Sequence, residues 1–345
     1  MTVRKNTPDK KRHHYVSVTY LRGFCDARGK VSAYCKDFPG KILYSRPEEI
    51  GFEKYYYSQL TVDGGQDNNS FEDLFGSVEE HWPRVLAAIK RGSVDAEILH
   101  WFYAFLAMSR ARVPAARDFH ESAMALRMRV EIKALAEIGK LPQKLRRYEH
   151  ELDTVPIAVN RQRTLATMSD DMRRFGDMSR LLGFEVIANE TDIDFLTSDN
   201  PVCYFDPTLP ARQMVPYDVE RQIELYFPLD SRTLLRGSHR LRSRGQMPRV
   251  RSLTSASRVQ AINRMIAKFG YRFLFARDRS HGETLEQSHA VSPVLSASVR
   301  RTAGEIEIHL RHVFGPRPTL LKFRPERCED AITAADLAEF VGNGG

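Results

Sequence analysis

Hydrophobic and polar positions divide the chain into an extended start, a helical middle and a largely extended end. The segments VSVTYLRGF, VSAYCKD and GKILYS lie between turn signals, which predicts strands up to about residue 60. From residue 70 the apolar positions recur with helical spacing, and Pro83 is expected to kink or break the first helix. After Leu182, short apolar runs return, broken at Pro201 and Pro228, together with the amphipathic helix SASRVQAINRMIAKFG.

The order of strands, helices and strands predicts an α+β fold and not a doubly wound parallel sheet. We expect a mixed or antiparallel sheet formed from N-terminal and C-terminal strands, with a central helical layer. Residues 1–12 are predicted to form a disordered basic tail, and residues 13–345 a single domain. Within that domain we expect strands over 13–60, helices over 70–182, and strands with helices over 183–345.

The composition indicates a soluble protein without a membrane span. It is 42% hydrophobic and 28% charged, and no run of 18 apolar residues occurs. The basic N-terminus has no apolar stretch of the kind found in secretory signals. Cys25, Cys35, Cys203 and Cys328 are scattered and form no CxxC pair, so we expect reduced cysteines, no closed zinc site and a cytoplasmic location.

Positive charge is concentrated in one part of the chain. The formal net charge is +8, yet thirteen Lys or Arg residues face a single acidic residue between Arg232 and Arg279. The densest part, RGSHRLRSRGQMPRVR, has little apolar periodicity and is predicted to be a surface loop. Such a loop suits nucleic acid or another polyanion, because arginine holds phosphate in a bidentate fork. A solvated basic face without a ligand explains the charge equally well. The arginines of the proposed loop are Arg240, Arg242, Arg244, Arg249 and Arg251.

The histidine pair in KRHHYVSVTYLRGF is the first candidate for chemistry. In a strand, neighbouring side chains point to opposite faces, which places His14 with Val16, Val18 and Tyr20 and leaves His13 exposed. A partly buried histidine can act as a general acid or base near neutral pH. A core histidine that donates to a backbone carbonyl is the structural alternative for His14.

The second candidate is FLTSDNPVCYF, in which Asp199 and Asn200 follow a short apolar run. Asp199 at the mouth of a cleft would bind a metal or orient a histidine, whereas the structural alternative is a turn capped by the side chain. The standard P-loop, dinucleotide, nucleophile-elbow and HExxH signatures are absent. His309 and His312 in HLRH lie in a strand-like run and face opposite ways, so they are not expected to form a metal pair.

Arginines at the ends of apolar segments are the third candidate. Arg110 and Arg112 lie about 200° apart on a helical wheel, so only one of them can face inward, as a partner of the helix dipole or as a phosphate clamp. Asn263 on the later helix and Arg272 in YRFLFAR raise the same question, because a half-buried arginine requires an anion from the protein or from a ligand.

These segments together resemble the DUF4238 family, a group of mostly microbial proteins without an assigned activity. HHYVSVTYLRGF is similar to the family's opening motif, although Ser17 and Val18 stand where proline and glutamine are common. VSAYCKDFPGKI, FLTSDNPV, YFPLDSRTLL and INRMIAKFGYRFLFA resemble further segments of the family. The resemblance implies that the His, Asp-Asn and Arg motifs belong to one fold.

Two functional hypotheses follow from these residues. In the first, the protein is a phosphodiesterase or nuclease that acts on nucleic acid or a nucleotide through His14 and Asp199, with or without a divalent metal. Substrate binding would then fall to four further side chains, Arg112, Asn200, Asn263 and Arg272. In the alternative, His14 and Asp199 are structural, and the protein binds nucleic acid or an acidic partner without catalysis.

Overall fold

The computed structural model of the chain describes residues 9–61, 65–210, 222–244, 248–302 and 305–321. Its elements form an α+β fold, which confirms the predicted fold class. No helix in these ranges is long and apolar enough to cross a membrane.

The predicted helical middle contains five of the α-helices. Pro83 is the second residue of the second of these, so the chain breaks between the first two helices, as the proline predicts. The α-helices are α1 (Val18–Leu21), α2 (Ser70–Glu79), α3 (Trp82–Arg91), α4 (Ala96–Ala111), α5 (Pro114–Glu137), α6 (Arg161–Arg180), α7 (Ala256–Phe269) and α8 (Gly282–Ser288). Short 3₁₀ helices cover Arg22–Phe24, Pro47–Glu49, Gln143–Glu151 and His239–Arg244.

The strands come from both ends of the chain. They are β1 (Arg12–His14), β2 (Val31–Cys35), β3 (Ile42–Ser45), β4 (Phe52–Lys54), β5 (Gln59–Leu60), β6 (Gln66–Asp67), β7 (Gly183–Asn189), β8 (Thr197–Ser198), β9 (Cys203–Phe205), β10 (Glu224–Asp230), β11 (Thr233–Ser238), β12 (Arg249–Leu253), β13 (Phe273–Ala276), β14 (Ser292–Thr302) and β15 (Glu305–Gly315).

Two sheets carry most of the strand pairing. One has the order β3-β2-β13-β8 and is antiparallel throughout, so it joins N-terminal strands to C-terminal strands as predicted. The other has the order β12-β7-β11-β10-β9 and is mixed, because β12 runs parallel to β7. Separate two-stranded pairs are formed by β1 with β4, β5 with β6, and β14 with β15.

Aromatic packing places the start of the chain inside the main core. The Tyr20 ring stacks on Phe227 of β10 at 5.3 Å, and Trp82 stacks on Phe105 of α4 at 3.9 Å. The Tyr20 hydroxyl donates to the carbonyl of Pro228 at 2.7 Å, which satisfies its polar end. The N-terminal segment therefore lies between the helical layer and the five-stranded sheet.

The structure corrects the prediction that VSVTYLRGF, the first of the expected segments over residues 13–60, is extended. Only Arg12–His14 is extended at the start, and α1 begins at Val18. The Ser17 side chain accepts a hydrogen bond from the Tyr20 amide at 3.3 Å and so caps this helix. A capped helical turn has no two-residue alternation, so the predicted common face of His14, Val16, Val18 and Tyr20 does not exist.

The end of the predicted disordered tail, residues 1–12, is structured. Arg12 pairs with Lys54 in the β1–β4 ladder, and the Lys10 ammonium lies 2.7 Å from the Asp73 carboxylate of α2. Residues 1–8 lie outside the described residues. The division into a tail and one domain stays a prediction.

Candidate functional site

His13 is a buried structural residue, and its predicted exposure is wrong. Its Nδ1 accepts from the Tyr57 amide at 2.8 Å, and its Nε2 donates to the Lys10 carbonyl at 2.8 Å. The imidazole also stacks on the Tyr57 ring at 5.7 Å. Because both ring nitrogens bind the backbone, His13 ties β1 to the segment after β4 and has no nitrogen left for a ligand.

His14 faces a different set of charges. Its ring is half-buried, and its Nε2 has no hydrogen-bond partner among the described residues. Burial lowers the pKa of His14, and the nearby Arg112 guanidinium lowers it further, although a hydrogen bond to the Glu48 carbonyl opposes both effects. His14 is therefore a neutral imidazole at neutral pH.

Arg112 is the arginine that the structure buries. It caps the end of α4 with only 2% of its side chain exposed, and its Nη1 donates to Glu79 of α2 at 2.7 Å. The guanidinium also lies over the Phe75 ring, 5.3 Å from its centroid. Arg112, which was predicted to bind substrate phosphate, thus pairs with a protein carboxylate through Nη1, whereas its Nε and Nη2 have no hydrogen-bond partner among the described residues.

Glu72 completes the cluster around His14 and Arg112. Burial raises the pKa of Glu72 to about 7, although the Arg112 guanidinium favours the ionised form. The backbone N–H of His14 also binds this carboxylate. This cluster connects β1 to α2 and to the end of α4.

Glu72→Gln should increase stability at high pH. A raised pKa means that the folded state binds the proton more tightly than the unfolded chain, so stability falls as the pH rises from 4.5 through about 7. Removing the charge should raise the free energy of unfolding by about 1 kcal/mol at pH 8, and the gain should disappear as the pH falls towards 4.5. Urea unfolding of both proteins across this range measures the effect.

The matched control is Glu80→Gln, which changes an exposed carboxylate at the end of the same helix. It should alter stability by less than about 0.5 kcal/mol at either pH. If Glu72→Gln raises the free energy of unfolding equally at pH 8 and pH 5, the raised pKa of Glu72 is contradicted.

Asp199 is a buried cap for a turn of the backbone. Its Oδ1 accepts from the Tyr271 amide and its Oδ2 from the Arg272 amide, both at 2.7 Å. The carboxylate is fully buried, and this burial raises its pKa even though the two amide donors favour the charged form. It makes no hydrogen bond to His14, so the predicted His14–Asp199 pair does not form.

The two predicted asparagines also bind backbone groups. The Asn200 Nδ2 donates to the Phe269 carbonyl at 3.0 Å. Asn263 accepts from the Leu196 amide at 3.2 Å and donates to the Asp194 carbonyl at 2.9 Å. Both side chains hold the β8 region against α7. The asparagine of the FLTSDNPV motif therefore has a structural role.

Lys36 is a buried structural residue of the same region. The sequence analysis did not predict this role. Its buried ammonium donates to the Ala267 and Gly270 carbonyls at 2.9 and 2.8 Å, and to the Val291 carbonyl. Burial lowers its pKa to about 7, while the nearby Asp199 carboxylate favours its charged form. The sequence VSAYCKD showed only a polar residue after a strand, where a solvent-facing lysine is the ordinary expectation.

Arg272 forms ion pairs with two carboxylates of the protein. Its Nη1 lies 2.6 Å from Glu53 and its Nη2 lies 3.6 Å from Asp118. Burial opposes the charge, but these carboxylates outweigh it and raise the pKa of the guanidinium. The arginine of YRFLFAR therefore bridges β4 and α5.

Asp199→Ala should destabilise the protein strongly. The substitution leaves two buried amides without acceptors and removes the negative charge beside Lys36 and Arg272, which should cost about 3 kcal/mol in the free energy of unfolding. Asp192→Ala, which removes a neighbouring exposed carboxylate, should cost less than about 0.5 kcal/mol. Unchanged stability of Asp199→Ala in urea unfolding would contradict the capping role.

The predicted polyanion loop is partly regular structure. Its first part is the 3₁₀ helix His239–Arg244, its last part is β12 at the edge of the mixed sheet, and residues 245–247 lie outside the described residues. Strand β12 pairs with β7, which explains why a segment without apolar periodicity is nevertheless extended. Four of its arginines are exposed, namely Arg240, Arg242, Arg249 and Arg251.

A cleft of about 610 Å³ lies between the middle helices and the strands β9 and β15. Apolar and aromatic side chains form most of its wall, which is typical of sites for small organic ligands. They include Phe119, Phe175, Met178, Leu181, Tyr204 and Ile223. The rings of Phe175 and Tyr204 lie 5.5 Å apart across α6 and β9.

A histidine–aspartate pair lies in the wall of this cleft. His120 of α5 and Asp171 of α6 are joined by a hydrogen bond between Nε2 and Oδ2, and both side chains are partly exposed. The bond to Asp171 fixes the ring orientation and leaves Nδ1 as the nitrogen available to a ligand. This arrangement suits a general acid or base that a third group orients.

Two arginines, Arg110 and Arg174, lie in the wall of the same cleft. The Arg110 guanidinium lies 5.2 Å from the Tyr204 ring centroid, and Arg174 is exposed one helical turn after Asp171. Within the described ranges, neither arginine forms an ion pair with a carboxylate. Both are therefore available to an anion, in contrast to Arg112 and Arg272.

The sequence contained only a weak signal for this cleft. His120 and Asp171 lie on amphipathic helices of the predicted helical middle, where a charged residue is usually solvated. Their pairing depends on how α5 packs on α6, which no local pattern specifies. Among the described residues, no group of three His, Cys, Asp or Glu side chains is placed to hold a metal ion.

Fold and site together define an α+β protein with a histidine–aspartate pair in a cleft whose wall contains aromatic side chains and two arginines. The chain belongs to the family described as "Protein of unknown function (DUF4238)", whose model matches residues 12–280. No curated protein and no solved structure matches the chain.

Proposed function

We propose that the protein is a phosphodiesterase or nuclease-like enzyme whose active site is the cleft around His120 and Asp171. The pairing of these two side chains beside unpaired arginines is the observation that carries the proposal. It retains the predicted combination of histidine, aspartate and arginine, but assigns it to residues other than His14 and Asp199.

Each group in the cleft has a role in this proposal. His120, oriented by Asp171, transfers a proton, and Arg110 and Arg174 bind the phosphate and stabilise the charge of the transition state. The aromatic wall, which includes Tyr204, stacks on a nucleobase. The cleft volume of about 610 Å³ lies within the usual range for sites of small organic ligands.

The chemistry of the cysteines supports a cytoplasmic location for this enzyme. Cys25, Cys35 and Cys203 are free thiols. Burial raises the pKa of Cys203 above its ordinary value and that of Cys25 to about 11, so both are protonated and poorly reactive.

The proposal predicts loss of turnover without loss of folding when the cleft is changed. His120→Gln should lower kcat/KM for bis(p-nitrophenyl) phosphate and labelled oligonucleotides by about 10²-fold or more, because proton transfer is lost. Arg174→Ala should mainly raise KM, because an exposed phosphate contact is removed. Rates are measured with and without added divalent metal, and thermal midpoints are measured alongside.

Two matched controls accompany these variants. Arg173→Ala changes the neighbouring exposed arginine, which pairs with Asp170 and is not part of the cleft wall. His309→Gln changes an exposed histidine of β15. Both should retain full activity, and turnover that survives His120→Gln unchanged would refute the proposed site.

A second candidate function is binding of nucleic acid or another polyanion without catalysis. The exposed arginines of the 3₁₀ helix and β12 support it. Among the described residues, only Arg240 of this group has a side-chain partner, Gln222 at 2.6 Å. The buried roles of Asp199 and Asn263 are also consistent with this alternative.

For this candidate, reversing the charge of the edge strand is the decisive change. Arg249→Glu with Arg251→Glu should weaken binding to duplex DNA or RNA and reduce its dependence on salt concentration, because fewer counterions are released. Fluorescence anisotropy at several salt concentrations measures both effects. Equal binding by the unchanged and doubly substituted proteins would exclude this surface.

A further inference from the structure

A second histidine lies in the same cleft as His120. The ring of His312 in β15 lies 3.8 Å from the Phe119 ring, and the ring of His120 lies 5.7 Å from it. Both histidines belong to the cleft wall together with Arg110. Both imidazoles therefore contact the same phenyl ring, one from α5 and one from the C-terminal hairpin.

The two imidazoles have different surroundings. The Nε2 of His120 is bound to the Asp171 carboxylate. The His312 ring has no hydrogen-bond partner among the described residues and packs against Phe119. Burial lowers the pKa of His312, and the Arg110 and His120 side chains lower it further, so this ring is neutral at neutral pH.

Unequal environments of two titratable groups mark the donor and the acceptor in acid–base catalysis. A neutral imidazole without a carboxylate partner can accept a proton. A carboxylate that binds one nitrogen of an imidazole orients the ring, so that the other nitrogen can donate its proton. Arg110 acts electrostatically on His312 and belongs to the same cleft wall as both rings, where a phosphate would need a cation.

We propose that His312 and His120 form a general base and general acid pair for the cleavage of RNA, with Arg110 binding the phosphate between them. This proposal rests on the proposed phosphodiesterase function and specifies its substrate class. His312 lies outside the matched residues 12–280, so the proposal concerns this chain.

The proposed step balances without any further reactant. His312 takes the proton of the ribose 2′-hydroxyl, and the 2′-oxygen attacks the adjacent phosphorus. The bond from phosphorus to the 5′-oxygen of the next nucleotide breaks, and His120 gives its proton to that oxygen. The products are a 2′,3′-cyclic phosphate and a free 5′-hydroxyl.

RNA fits this cleft because its nucleophile is part of the substrate. An internal 2′-hydroxyl needs only correct orientation, a base, an acid and a cation at the phosphate, all of which the cleft contains. A deoxyribose has no such hydroxyl, so the proposed reaction cannot occur on DNA.

The experiment compares three substrates with the full-length protein. These are the dinucleotide UpA, its 2′-deoxyuridine analogue, and bis(p-nitrophenyl) phosphate. We expect cleavage of UpA to the 2′,3′-cyclic phosphate, no cleavage of the deoxy analogue, and activity that persists in excess EDTA. The product analysis uses the unsubstituted protein and so does not depend on the folding of any variant.

His312→Gln should lower kcat/KM for UpA by about 10²-fold or more and remove the acidic limb of the pH profile. His309→Gln, on the same strand and exposed, should leave both unchanged. Cleavage of the deoxy analogue at a similar rate, or a linear phosphate product from UpA, would overturn the RNA proposal while supporting the phosphodiesterase function. No cleavage of any of the three substrates would overturn both.

Discussion

The described structure depends on one set of buried contacts around the backbone between α7 and β13. The side chains of Asp199, Asn200 and Lys36 together bind amides and carbonyls of residues 267–272. Buried backbone groups without partners would each cost a few kcal/mol, so these side chains stabilise the turn. The position of this turn determines where β13 enters the sheet. Strand β13 lies between β2 of the N-terminal region and β8.

The same region separates residues that hold the fold from residues that remain available to a ligand. His13, Asp199 and Asn263 have their polar groups satisfied by backbone, and Arg272 by two carboxylates. In the helical cleft, by contrast, the arginines have no carboxylate partner within the described ranges, and the walls are aromatic. A protein can leave cationic groups unpaired where they stay hydrated, which is why a partly open cleft is the place for them.

The sequence predicts this fold well and the site poorly, for a physical reason. Periodicity and proline positions are local, and they led correctly to the helical middle, the break at Pro83 and the sheet formed by both ends. The helix α1 was missed because a single cap by Ser17 outweighs the apolar pattern. The expected pairing of His14 with Asp199 is absent for a different reason, since Asp199 binds two backbone amides of a segment that is distant in the chain. The pair of His120 and Asp171 forms only through the packing of two helices that are 51 residues apart at these positions.

If the cleft is the active site, small anionic ligands bind there and not at the N-terminal histidines. Nuclear magnetic resonance of the ¹³C-labelled histidine rings, during titration with uridine 3′-monophosphate, distinguishes the two places. We expect the ring resonances of His120 and His312 to shift in a saturable way while those of His13 and His14 stay in place. Shifts confined to His14, with the cleft histidines unchanged, would contradict it.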